Sequence, residues 1–109
     1  MYYINELGQI HRTDGPAAIS DDGSLEWWVD GRLHRTDGPA IEYADGHKEW
    51  RVNGQRHRTD GPAVIRAEGR EEWWVNNQLL TEFEVWLLAG QLLTEFEVWL
   101  LAGAEKVAQ

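Results

Sequence analysis

The chain has 109 residues, with 10 basic against 19 acidic side chains and a net charge of −9. That length suits one domain, and the acidic balance argues against general binding to nucleic acid or anionic lipid. The absence of cysteine removes disulfides, iron–sulfur clusters, thiolate-bound zinc and thiol nucleophiles. No apolar run approaches the ~20 residues that a membrane-spanning helix needs. The opening Met1-Tyr2-Tyr3-Ile4-Asn5-Glu6 lacks a basic stretch followed by an apolar block, so no secretory signal is expected. A cytoplasmic location is the matching expectation.

The first residues, Tyr2-Tyr3-Ile4-Asn5, read as a degenerate copy of a unit that recurs later. Two extra residues precede Gly8-Gln9-Ile10-His11 in that alignment. The heptapeptide His-Arg-Thr-Asp-Gly-Pro-Ala then begins at His11, His34 and His57, at intervals of 23 residues. Its flanks keep the period. Glu26-Trp27-Trp28-Val29-Asp30-Gly31 matches Glu49-Trp50-Arg51-Val52-Asn53-Gly54 and Glu72-Trp73-Trp74-Val75-Asn76-Asn77. A fixed period of this length marks a repeat architecture.

Each unit holds two short runs bounded by turn signals. Asp45-Gly46 and Asn53-Gly54 are hairpin dipeptides, read as turns in which both central residues have positive φ. Alternation assigns the faces. Trp27 with Val29, Trp50 with Val52 and Trp73 with Val75 share one face, expected to be buried. Glu26 and Trp28, Glu49 and Arg51, Glu72 and Trp74 share the other. Successive units are expected to add hairpins to one elongated antiparallel sheet.

The repeat breaks near residue 78. Asn77 replaces the turn glycine, and Leu80 stands where a histidine is due. Thr81 and Glu84 then form a capping box, with Phe83, Trp86 and Leu87 at helical spacing. Residues 78–90 recur without change at 91–103, so Thr94 and Glu97 repeat the box and Phe96, Trp99 and Leu100 repeat the apolar set. A helix is predicted from about residue 82, ending near Gly90 or running on to about 106. The chain is thus mainly β, with a repeat region over 1–78 and a helical segment over 79–109. On one straight helix the second copy is rotated by about 220° from the first. Its apolar set would then point away from the surface that the first copy covers. Either Gly90 breaks the segment into a helical hairpin, or the second set packs on another chain; self-association through this segment is the favoured expectation.

At Asp30-Gly31-Arg32-Leu33-His34, Ala44-Asp45-Gly46 and Asn53-Gly54-Gln55-Arg56-His57, residues 2–78 resemble MORN repeats, which are 23-residue β-hairpin units. The strand signature of that family is replaced here by Glu-Trp-Trp-Val, and the glycines after its histidine by Arg-Thr-Asp-Gly-Pro. The heptapeptide also resembles repeats in proteins of unknown function encoded by bacteriophages and large viruses. The resemblance implies a scaffold, a dimerisation module or a lipid-associated module, the last of which sits badly with the net charge of −9, and in a phage setting a protein that binds and inhibits a host protein. It brings no catalytic residues.

His11, His34 and His57 lie near Asp14, Asp37 and Asp60, but a ladder of histidines two strands apart has a pitch of ~9–10 Å. That cannot close on one metal ion. Three copies of one motif also lack the different converging groups of an active site. No enzyme, cofactor or metal is therefore expected. The motif is read as a turn. Asp14, Asp37 and Asp60 accept backbone amides, Gly-Pro redirects the chain, and Arg12, Arg35 and Arg58 pair with aspartates. The histidines are expected to donate to carbonyls. Trp28, Arg51 and Trp74 form a candidate interaction strip, either exposed to a partner, or covered by the C-terminal helix, or with Arg51 shielding the indoles through cation–π contact. Protein binding and self-assembly is the leading functional reading. An acidic mimic of nucleic acid that blocks a nucleic-acid-binding enzyme is the alternative.

Overall fold

The computed structural model describes residues 1–90. They divide into a unit spanning Met1–Leu79 and a second that begins at Leu80. The first is all β. Its strands are β1 (Ala18–Ile19), β2 (Leu25–Glu26), β3 (Trp28–Val29), β4 (Arg32–Leu33), β5 (Ile41–Glu42), β6 (Lys48–Glu49), β7 (Arg51–Val52), β8 (Gln55–Arg56), β9 (Val64–Ile65), β10 (Glu71–Glu72), β11 (Trp74–Val75) and β12 (Gln78–Leu79). A six-stranded antiparallel sheet runs in the order β1-β2-β5-β6-β9-β10, and three separate hairpins pair β3 with β4, β7 with β8 and β11 with β12.

One residue per repeat carries the chain from the sheet into the hairpin. Trp27 N–H donates to Ala40 O inside the sheet at 2.8 Å, while Trp27 O accepts His34 N at 3.0 Å in the hairpin; Trp50 does the same with Ala63 and His57. The run Glu-Trp-Trp-Val is therefore two strands with a junction at its first tryptophan. This corrects the buried-face expectation. Trp27, Trp50, Trp73, Val29, Val52 and Val75 are all half-buried. Strict alternation over one long strand would have buried them, but each strand pairs for only two residues.

The buried apolar side chains are instead the motif alanines Ala17, Ala40 and Ala63, together with Ile41 and Val64. The alanine N–H groups donate across the sheet to Glu26, Glu49 and Glu72 carbonyls at 2.8–2.9 Å. Alanine is small enough for the backbone of the next unit to approach it closely.

The turns come in two kinds. Asp30-Gly31, Asn53-Gly54 and Asn76-Asn77 all have positive φ at both residues, as a two-residue hairpin requires. Asn77 adopts φ 65°, so the loss of glycine there does not end the hairpins; asparagine tolerates this conformation. At the other end of each unit only the glycine is left-handed, with Gly23, Gly46 and Gly69 at φ 90°, 96° and 97°. Here the expectation of two positive φ values fails at Asp45-Gly46. Asp45 Oδ1 accepts His47 N–H at 2.9 Å, and Asp22 Oδ1 accepts Ser24 N–H at 3.0 Å, which closes a longer loop.

The N-terminal copy aligns one residue differently from the sequence reading. Tyr3 occupies the junction position: its N–H donates to Ala17 O and its C=O accepts His11 N. Ile4 bridges Ile10, and the loop closes with Asn5 N donating to Gln9 O. The two extra residues lengthen the loop between Asn5 and Gln9 and leave Tyr3, not Tyr2, at the junction.

The second unit contributes α1 (Glu82–Gly90). Its capping box forms as predicted. Thr81 N–H donates to Glu84 Oε1 at 3.0 Å and Glu84 N–H to Thr81 Oγ1 at 3.2 Å. Phe83 stacks on Trp86 with ring centroids 6.2 Å apart. Phe83, Trp86 and Leu87 are exposed. Phe96, Trp99, Leu100 and the continuation of the helix past Gly90 lie outside the described residues.

Replacing Ala40 with leucine inserts bulk where exposure is zero. Urea unfolding should show a loss of ~1–3 kcal/mol, the usual cost of overpacking. An unchanged midpoint would mean that this position is not enclosed.

Candidate functional site

The motif arginines are held from every side. Arg35 Nε donates to Asp37 Oδ1 at 2.9 Å and Nη1 to Pro39 O at 3.1 Å, and its guanidinium carbon lies 3.9 Å from the Trp27 ring centroid. Arg58 repeats this with Asp60, Pro62 and Trp50, the ring at 4.0 Å. Arg12 does so with Asp14, Pro16 and Tyr3, the ring at 4.2 Å. The glycine of the motif lies against the same group. A Cβ on Gly15, Gly38 or Gly61 would sit 3.0, 2.9 or 2.7 Å from the arginine Cζ. None of these three glycines is left-handed. They are needed for close approach, not for φ.

The aspartates therefore serve chiefly the arginine of their own motif, as the expected pairing of Arg12, Arg35 and Arg58 with aspartates requires. Asp37 is 83% exposed. The hydrogen bond from Arg35, followed by its charge, holds the Asp37 carboxyl below the usual range, and Asp14 is lowered by Arg12 in the same way.

The histidines are acceptors, which reverses the expectation that they donate. His11 Nδ1 accepts Asp30 N–H, His34 Nδ1 accepts Asn53 N–H and His57 Nδ1 accepts Asn76 N–H, each at 3.0 Å. Each imidazole thus joins one unit to the hairpin turn of the next. The neighbouring bonds Gly31 N to Ile10 O, Gly54 N to Leu33 O and Asn77 N to Arg56 O complete the joint. Among the described residues no group of three or more His, Asp or Glu side chains is gathered as a metal site would need.

Trp28, Arg51 and Trp74 do share a side with Glu26, Glu49 and Glu72, and each is bonded to its glutamate. Trp28 Nε1–H donates to Glu26 at 2.8 Å and Trp74 Nε1–H to Glu72 at 3.0 Å. Arg51 donates twice to Glu49 Oε1, at 3.1 and 2.9 Å. Shielding comes from a residue outside the predicted strip: Arg56 lies 4.8 Å over Trp74. These three side chains are half-buried, not a bare strip.

Glu49 is the most enclosed acid, 6% exposed. Its Oε1 also accepts Arg56 Nε at 3.2 Å, and Oε2 lies 2.8 Å from His47 Nε2. Burial alone pushes this carboxyl up. The bonds from His47 and Arg51 and the charges of Arg51 and Arg56 outweigh burial and hold it at about 2. Glu72 is lowered chiefly by the Trp74 indole, against burial, with help from Arg66.

Between successive motif loops lies a groove, and it is built twice. The first, of about 690 Å³, is lined by Arg12, Thr13, Asp14, Gly15, Trp27, Val29 and the stretch His34–Asp37. The second, of about 590 Å³, is lined by the residues one period on: Arg35, Thr36, Asp37, Gly38, Trp50, Val52 and His57–Asp60. The apolar pairs Trp27–Val29 and Trp50–Val52 do share a face, as alternation predicted; that face lines a groove rather than a core. Arg35, Thr36 and Asp37 line both grooves. The indole N–H groups of Trp27 and Trp50 have no hydrogen-bond partner among the described residues, yet no buried side-chain polar atom there is left unpaired. A third cavity of about 510 Å³ lies near Tyr43, His47, Arg66 and Arg70, and its chemistry is not repeated.

Sequence reasoning singles out His11, Arg12, Asp14 and their repeats; the grooves bring all of these except His11 together with Trp27 and Trp50. It had missed the threonines Thr13, Thr36 and Thr59. Their signal was available, because the turn needs no threonine at that place in all three copies. Compared with protein-family models, curated proteins and solved structures, the chain has no match.

Gly38→Ala should push the Arg35 guanidinium off Trp27 and cost ~1–2 kcal/mol, the sum of weakened cation–π and charge-assisted contacts. Chemical denaturation followed by indole fluorescence tests this, and an unaltered midpoint would refute the sandwich. Glu49 gives a pH dependence. Its folded pKa is depressed, so its contribution is full above about 4.5 and is lost as pH falls toward about 2. Glu49→Gln should lower stability at pH 7 and flatten the acid limb of a midpoint-against-pH curve. An acid limb unchanged by this substitution would show that another group sets it.

Proposed function

We propose that the chain is a non-enzymatic protein-binding module whose contact site is the groove repeated between motif loops. The carrying observation is the recurrence of the same ten lining positions, shifted by one period, in two grooves. Duplicated chemistry at a fixed pitch suits an extended polymeric partner, whereas catalysis needs different groups converging on one centre. The grooves combine indole, valine, threonine and exposed carboxylate, the mixture of apolar anchor and polar rim found at protein interfaces. The pairing of Asp14, Asp37, Asp60, Glu49 and Glu72 with arginines favours this reading over a nucleic-acid mimic.

The MORN-like character belongs to the same proposal: a sheet that lengthens by two strands per 23-residue unit, serving as a scaffold. Self-association through residues 81–103 is the second part. The exposed Phe83, Trp86 and Leu87 of α1 supply its apolar contact. Among the described residues no helix is long and apolar enough to cross a membrane. A cytoplasmic setting, with a host protein as target if the chain is phage-encoded, is the biological context proposed.

Thr36 lines both grooves from an exposed loop. Thr36→Trp should fill them while leaving the sheet folded. Affinity capture from cell lysate should recover a protein with the natural chain and lose it with the variant. Recovery that ignores the substitution would place the contact elsewhere. Sedimentation equilibrium on the natural chain and on one lacking residues 91–103 tests the second part. The natural chain should be at least dimeric and the deletion weaker. A monomer at micromolar concentration in both would overturn it.

A further inference from the structure

Two identical grooves at a fixed distance select the conformation of what spans them. The loops that line them precede β1, β5 and β9, which occupy alternate positions in the six-stranded sheet. Adjacent grooves are therefore two strand spacings apart, or ~9–10 Å. A partner that enters both must present the same side of its chain at that interval.

Regular conformations answer this differently. A β-strand advances ~10 Å in three residues, but side chains three apart point to opposite faces. An α-helix has a pitch of ~5.4 Å, and two turns overshoot at ~11 Å. A polyproline II helix has three residues per turn at ~3.1 Å each, so every third residue returns to the same side after ~9.3 Å. That conformation meets the pitch and the facing together. It also has no internal hydrogen bonds, so its carbonyls need donors from outside. The indole N–H groups of Trp27 and Trp50, which have no hydrogen-bond partner among the described residues, and the hydroxyl of Thr36 are donors on residues that line the grooves.

Charge specifies the side chain that recurs. Asp14, Asp37 and Asp60 stand at the groove rims with side chains 82%, 83% and 73% exposed, and each gives only Oδ1 to its arginine. The arginines are turned inward and already stacked on the aromatic rings. The chain as a whole carries −9. A cation on the partner finds a free carboxylate oxygen in each groove.

We propose that the two grooves together bind one proline-rich segment in the polyproline II conformation, with an arginine or lysine at every third residue. This rests on the reading of the grooves as a protein-binding site. The probe is a capped peptide of Arg-Pro-Pro triplets, titrated into the full chain and followed by calorimetry and by the indole N–H signals of Trp27 and Trp50. Its control holds the same number of arginines, one at every fourth residue, so that consecutive cations are turned about 120° apart. The triplet peptide should bind at least ~10-fold more tightly, since it alone engages both grooves at once. It should shift both indole signals and lose its affinity to Thr36→Trp. A peptide of Glu-Pro-Pro triplets should not bind. Equal affinity for the two arginine spacings reduces the interaction to charge attraction and overturns the proposal. No binding of the triplet peptide, or binding that survives Thr36→Trp, overturns it too. A lysate protein captured through the grooves while the triplet peptide stays unbound overturns this proposal alone. Capture indifferent to Thr36→Trp overturns the reading beneath it.

Discussion

The motif arginine is the contact on which the repeat region depends. One guanidinium covers the aromatic ring of the preceding junction residue, donates to its own aspartate, and donates to the carbonyl of its own proline. It thereby ties the junction residue Trp27 or Trp50 to the loop that turns the chain back into the sheet. The glycine of the motif leaves room for it, and the proline fixes the backbone whose carbonyl it holds. Lysine could not replace it, because an ammonium group cannot stack flat on the ring while bonding two acceptors in one plane.

Such a contact matters because the hydrophobic core is small. Among the described residues its enclosed apolar side chains are three alanines, an isoleucine and a valine. Stability is carried instead by the dense pairing of polar groups, with no buried side-chain N or O left without a partner among the described residues. Satisfied polar networks define one arrangement sharply, since any slip leaves a donor or acceptor unpaired. The cluster around Glu49 shows how far this goes, with His47, Arg51 and Arg56 all spent on one carboxylate.

Much of this was legible from the residues. The 23-residue period, the Asp30-Gly31 and Asn53-Gly54 turns and the Thr81–Glu84 capping box each have a local physical cause, and each appears where expected. The parts that were not legible depend on contacts distant in sequence. Alternation put Trp27 and Val29 on one face, but the burial expected of that face failed because the chain changes sheets at Trp27, which no hydrophobic pattern records. The histidines were misassigned because imidazole accepts or donates according to which nitrogen carries the proton. The N-terminal copy slipped by one because a longer loop and a shifted strand look alike in a degenerate sequence. The grooves were half visible: their motif arms were recognised, but only the fold sets two arms side by side over an indole.

The joints between units share a further property. The bond from Asp30 to His11 spans 19 residues, and so do those from Asn53 to His34 and from Asn76 to His57. Removing or inserting one whole unit leaves every such span unchanged, because the chain is cut and rejoined at equivalent points. Array length is thus a free variable for unequal recombination between the coding repeats, so long as the terminal copies are kept. At the far end Leu80 and Thr81 stand in place of histidine and arginine. They offer neither the imidazole acceptor nor the guanidinium that another unit would need, so the array is closed by the identity of two side chains.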